Sequence, residues 1–149
     1  MKKALLVIVF IIFAVLILPG IVQPPVESET ARGSEVAQLS RALIAALLNY
    51  RKEYGQFPTG EAGEIMAALL GKNEKATVFI EPPPMSMNDL GELLDPWGTP
   101  FRITFDKVSG MPKIHSAGPN RKFEDKPSKH SDDYYSWHDS AVAPLPLPD

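Results

Sequence analysis

Lys2 and Lys3 are followed by fifteen residues, Ala4 to Leu18, with no polar side chain, and thirteen of them are Leu, Ile, Val or Phe. Such a run is buried either in lipid or in a core. As a helix it is about 22 Å long, or about 28 Å if it continues to Val22, against a bilayer core of about 30 Å. At roughly −0.3 to −0.6 kcal/mol per residue, insertion is favoured by about 4–8 kcal/mol. The basic flank keeps Met1 on the cytoplasmic side and sends the rest across. The sequence therefore predicts a single-pass anchor over residues 1–22 in the cytoplasmic (inner) membrane, with the remainder outside the cytoplasm. A cleaved signal peptide has the same layout. Its cleavage site wants small residues at −3 and −1, and Leu18-Pro19-Gly20-Ile21-Val22-Gln23 offers no such pair.

The rest of the chain is punctuated by proline, fifteen in all, clustered at Pro24–Pro25, Pro82–Pro84 and Pro144, Pro146, Pro148. Residues 23–33 read as a linker behind two prolines that stop a helix. Ser34 is a good N-cap. Val36, Leu39, Leu43, Leu47, Tyr50 and Tyr54 then recur at three- and four-residue spacing, which predicts an amphipathic helix closed by Gly55. A second short helix is expected from Glu61 to about Leu70. Thr77–Ile80 is β-prone, and Met87–Leu94 has room for one helical turn. Asp95-Pro96-Trp97-Gly98-Thr99-Pro100 reads as a compact turn carrying a large aromatic. Phe101, Ile103 and Phe105 alternate with polar residues as a half-buried strand does. Val108-Ser109-Gly110 turns the chain into a return strand, Pro112–Ser116. A polar loop runs to Ser131, and Tyr134–Trp137 is a last short strand. Helices first and an antiparallel meander after them predict an α+β domain over 34–138, one amphipathic helix packed on three or four strands. Residues 139–149 read as a Pro-rich tail.

Composition excludes several functions. The net charge of −3 gives no basic surface for nucleic acid. The absence of cysteine removes disulfides, thioether-linked lipid and thiolate zinc sites. Signatures of serine hydrolases, zinc proteases, P-loop enzymes and dinucleotide-binding folds are missing, so the chain is read as a non-enzyme. His115, His130 and His138 have no metal-ligand spacing. An anchored hydrolase using an Asp–His pair would need that pair fixed in a cleft. Trp97, between proline and glycine, reads as a core plug, with ligand stacking as the other role. Asp132–Asp133 repel each other unless solvated or bound to a cation. With Asn120, Glu124 and Asp125 in the same loop they form an oxygen-rich set suited to calcium.

Three stretches together resemble the major pseudopilin of type II secretion systems. Leu43–Gly60 (LIAALLNYRKEYGQFPTG) is similar to the end of that family's long helix. Asp95-Pro96-Trp97-Gly98-Thr99-Pro100-Phe101 is close to its Asp-Pro-Trp-Gly turn. Ser116-Ala117-Gly118-Pro119-Asn120, with Asp132-Asp133 and Ser136-Trp137, resembles its final loop. The resemblance covers roughly residues 35–138 and implies a pilin-like fold with a structural role in protein secretion. Its implied partners are the membrane and other pseudopilins or secretion components in the periplasm. It also implies a calcium ion in the final loop, held by the Ala117 carbonyl, Asn120, Asp132 and Asp133. Asn120 stands where the family often has Asp, and Arg121 stands in the place of a glycine. No prepilin peptidase site precedes the apolar run, so the resemblance reaches the domain and not the filament-forming N-terminus. The alternative is a free-standing calcium-stabilised binding module in the periplasm.

Overall fold

Glu29–Tyr54 forms one long helix, α1, in the computed structural model, which describes residues 29–124 and 131–136. The expected anchor over 1–22, linker residues 23–28, His130, Trp137, His138 and the Pro-rich tail lie outside the described residues. Helix α1 starts five residues before Ser34, which corrects the linker boundary at 29–33. The last helix-breaking residue upstream is Pro25. Glu29, Ala31 and Arg32 are good helix formers, Glu29 adds a carboxylate to the first turn, and Gly33, with open space around it, carries only its entropic penalty. Of the expected stripe Val36, Leu43 and Leu47 are buried and Leu39, Tyr50 and Tyr54 half-buried, while Ser40, Ile44 and Ala46 are buried beside them. Gly55 ends the helix at φ +75, its N–H donating to the Arg51 carbonyl at 2.7 Å.

The Phe57–Gly60 turn leads into α2, Ala62–Leu69, whose first turn is fixed where the Glu64 carboxylate accepts the Glu61 N–H at 2.8 Å. Ile65, Met66 and Leu69 are buried against α1. Asn73 then folds the chain back. Its carbonyl accepts the Tyr54 hydroxyl and the Thr77 N–H, and its amide donates to the Ala68 and Thr77 carbonyls.

Two expectations fail between residues 77 and 94. Thr77–Ile80 is extended but belongs to no strand: Phe79 donates its N–H to the Leu69 carbonyl at the end of α2, and Pro82–Pro84 have no donors to extend a ladder. Met87–Leu94 holds no helical turn. The Asn88 side chain accepts the Leu90 and Glu92 N–H groups, and a Met87–Leu93 bridge closes the loop instead.

Beyond that loop the expected hairpin forms, with Phe101 just ahead of its first strand, and the last strand, expected over 134–137, is the shorter Tyr134–Tyr135. β1 (Arg102–Phe105), β2 (Pro112–Ser116) and β3 (Tyr134–Tyr135) form one antiparallel sheet in the order β1-β2-β3. Asp106 builds the β1–β2 turn, accepting the N–H groups of Val108 and Ser109 while Lys113 sits on its other oxygen at 2.5 Å. Lys113, then these backbone bonds, hold the Asp106 carboxyl well below the usual carboxylate range. Helix α1 covers β2 and β3. The core is one cluster that includes Leu43, Leu47, Met66, Leu69, Leu93, Trp97, Phe101 and Ile114. Among the described residues the architecture is therefore α+β, two helices and a small three-stranded antiparallel sheet, with α1 on the sheet and α2 against α1. Among the described residues no helix is long and apolar enough to cross a membrane.

Candidate functional site: the closing loop

Asp95 begins the site. Its side chain is buried and reaches three donors. Oδ1 accepts the N–H groups of Trp97 (3.0 Å) and Thr99 (2.8 Å), which folds the Asp-Pro-Trp-Gly stretch onto itself as an Asx turn. Oδ2 accepts the Ser116 hydroxyl at 2.6 Å, and that oxygen in turn accepts the Gly118 N–H at 3.2 Å. One carboxylate thus joins the turn, the end of β2 and the first residues of the loop. The geometry also turns the Trp97 indole into the core, 9% exposed, with no hydrogen bond to its Nε1. That supports the core-plug reading.

The loop then closes on itself. Gly118 adopts φ +63, and a Cβ built there would lie 2.1 Å from the Asp132 carbonyl oxygen. Asn120 grips Asp132 with two donors: its N–H meets Oδ2 at 3.1 Å and its Nδ2 meets Oδ1 at 2.6 Å. The amide orientation is set from the other side, where Asn120 Oδ1 accepts the Lys122 N–H at 2.6 Å. Arg121 has φ +59, a left-handed conformation that its side chain resists.

Asp133 points the other way, into the protein. Its side chain is fully buried, and Oδ2 lies 2.5 Å from His115 Nε2. The same oxygen accepts the Glu124 N–H at 2.8 Å and lies 3.3 Å from the Tyr135 hydroxyl. Oδ1 is buried without a hydrogen bond. The His115 ring is stacked on Tyr135 at 4.2 Å and meets the edge of Phe123 at 4.9 Å; Arg102 covers Phe123 at 4.0 Å. Burial, with the Asp133 charge adding to it, pushes the Tyr135 phenol above its ordinary value. Ser136 finishes the closure by accepting the Ile114 N–H at 2.9 Å.

The four residues expected to share a cation are thus divided. Asn120 and Asp132 meet. Ala117 is buried beside them in sequence, and Asp133 faces the opposite direction toward His115. Among the described residues no three His, Asp or Glu side chains form a group that could hold a metal. The Asp–His contact is real but closed over by rings, with side-chain exposures of 7% and 0%. The contact joins β2 to the end of the loop.

Sequence reasoning missed Asp95, Ser116 and Gly118 as members of this network. Asp followed two residues on by an N–H donor in a turn is the signal for Asp95, and glycine before Pro119 is the signal for a close approach at 118. Nothing in the sequence points to the His115–Asp133 pairing. Gly118→Ala is expected to force the loop off Asp132, because the neighbour is backbone and cannot step aside. The change should cost about 1–3 kcal/mol and expose the 118–132 segment to limited proteolysis while the α1–α2–β1 part stays intact. Unchanged cleavage would show that the approach at Gly118 is not required.

Comparison of the chain with protein-family models, with curated proteins and with solved structures finds no match.

Proposed function

We propose that this chain is a membrane-anchored, pseudopilin-like structural and interaction protein associated with type II secretion or pilus-like machinery. It is held at the inner membrane by residues 1–22, with its folded domain outside the cytoplasm. One observation supports the reading best. The three stretches that carry the resemblance are far apart in sequence yet are built into one unit. Leu43 and Leu47 of the first stretch share one buried core cluster with Trp97 of the Asp-Pro-Trp-Gly turn. Asp95 of the Asp-Pro-Trp-Gly turn binds Ser116 at the start of the final loop. Residues serving only local turns would have no reason to join in this way. The network they form is a means of holding shape, as a structural role asks.

The chain has no cysteine, which makes the test clean. Val108 and Met85 are 97% and 98% exposed, so Val108→Cys and Met85→Cys place single thiols on the surface at little cost in stability. In intact native-host cells a membrane-impermeant maleimide should label Val108→Cys, and the protein should stay with the membrane after an alkaline wash. A bifunctional maleimide at Met85→Cys should capture a second copy or a secretion subunit. Labelling only after lysis, or a mature N-terminus between Gly20 and Gly33, would refute the topology. A correctly placed domain that captures neither would refute the role.

A further inference from the structure

We infer that the closing loop is fastened by its own side chains and takes no calcium, because Asn120 fills, against Asp132, the position a cation would need. The inference stands on the loop's contacts and is independent of any place in secretion. Calcium needs six to eight oxygens at about 2.3–2.6 Å, from carboxylates, carbonyls and water. The side-chain oxygens of Asn120 and Asp132 are already engaged. Both oxygens of Asp132 accept from Asn120, one from its backbone and one from its amide. An amide N–H aimed at a carboxylate presents partial positive charge where the ion would sit, so the ion and the Asn120 amide compete for the same lone pair. Asn120 Oδ1 is the only side-chain atom of that residue able to ligate a cation, and it is bound to the Lys122 N–H. Asp133 is withdrawn to His115, and its Oδ2 also accepts from Glu124. Its remaining oxygen is buried, and among the described residues no three His, Asp or Glu side chains come together around it to hold an ion.

The arrangement meets the same electrostatic need by other means. Adjacent aspartates repel, and a cation between them is one remedy. Turning them apart is another, with one carboxylate neutralised outward by two N–H donors and the other inward by an imidazole and an N–H. Asn120 is then the residue on which the outcome turns. With Asp at position 120, two carboxylates would face each other across the loop, and a cation would become necessary.

Thermal melts of the full-length chain in a mild detergent test this, in chelator and in calcium raised to on the order of 10⁻² M, above the weakest extracellular-type affinities. The wild-type midpoint should be the same in both. Asn120→Ala should melt about 4–8 °C lower in both conditions alike. Asn120→Asp should melt lower in chelator and recover in calcium; lower melting without recovery would equally identify Asn120 as the fastening group. A wild-type midpoint several degrees higher in calcium than in chelator would overturn the inference. So would an Asn120→Ala variant that melts and resists protease as the wild type does.

Discussion

Trp97→Ala is expected to lower the unfolding free energy by about 3–5 kcal/mol, the usual loss when a large buried aromatic is emptied from a core. The side chain is 9% exposed and belongs to the cluster that joins Leu43 and Leu47 of α1 to Phe101 and Ile114 of the sheet. It enters that cluster from a turn whose backbone is fixed at Asp95 and Gly98, so the surroundings have little freedom to collapse into the space. The midpoint of urea unfolding should fall by on the order of 2 M, with the slope unchanged. Trp97→Phe, which keeps most of the ring volume and removes an indole N–H that makes no hydrogen bond, should be far milder. If both variants unfold with the wild type, Trp97 contributes nothing to the core, and its turn is the place to look for a ligand.

Asp95→Ala should be nearly as damaging, for a polar reason. Removing the carboxylate leaves the Trp97 N–H, the Thr99 N–H and the Ser116 hydroxyl without their acceptor. Each buried group left unsatisfied costs about 1–3 kcal/mol. Thr99 is half-buried, and water can replace part of its loss, so about 3–5 kcal/mol is expected in total. Asp95→Asn separates the contributions. Its carbonyl can still accept both N–H groups, and Ser116, which can donate or accept, can take the amide N–H instead. That variant should lose only the strength added by charge. Ser116→Ala combined with Asp95→Ala should cost less than the sum of the two, with a coupling of about 0.5–3 kcal/mol. Simple additivity would mean that the turn and the end of β2 are held independently.

What the sequence made legible follows from the range of the forces involved. The α1 stripe, the α2 stretch and the β1–β2 hairpin were readable because each is specified by neighbours within four residues or by alternation along one strand. The start of α1 was misjudged because a good N-cap at Ser34 was given more weight than the helix-forming residues before it. Thr77–Ile80 was misjudged because β propensity says nothing about whether a partner strand exists, and Pro82–Pro84 deny it one. The closing loop was legible as an acidic, oxygen-rich segment but not as a network. Asp132 and Asp133 are neighbours in sequence, and alternation turns them to opposite sides, one to Asn120 and one to His115. That division depends on β3 pairing with β2, a contact across 20 residues between His115 and Tyr135.

The closure at Ser136 also bears on how the molecule meets its neighbours. Asp106 donates its N–H to the Met111 carbonyl, and this phase of the ladder turns the nitrogens of Pro112 and Ile114 away from β1, toward the side where β3 lies. Among the described residues Tyr134 and Tyr135 pair with Ser116 and His115, and no strand pairs with the first half of β2 on that side. Yet that half offers an incoming strand no N–H donor. The Ile114 N–H is taken by the Ser136 hydroxyl, and Pro112 has no N–H to give. A sheet of three short strands is otherwise an invitation to edge-to-edge stacking between copies. Along this edge the N–H half of the ladder is spent, so an assembly built there leans on side chains, where specificity can be written, more than on main-chain pairing, where it cannot.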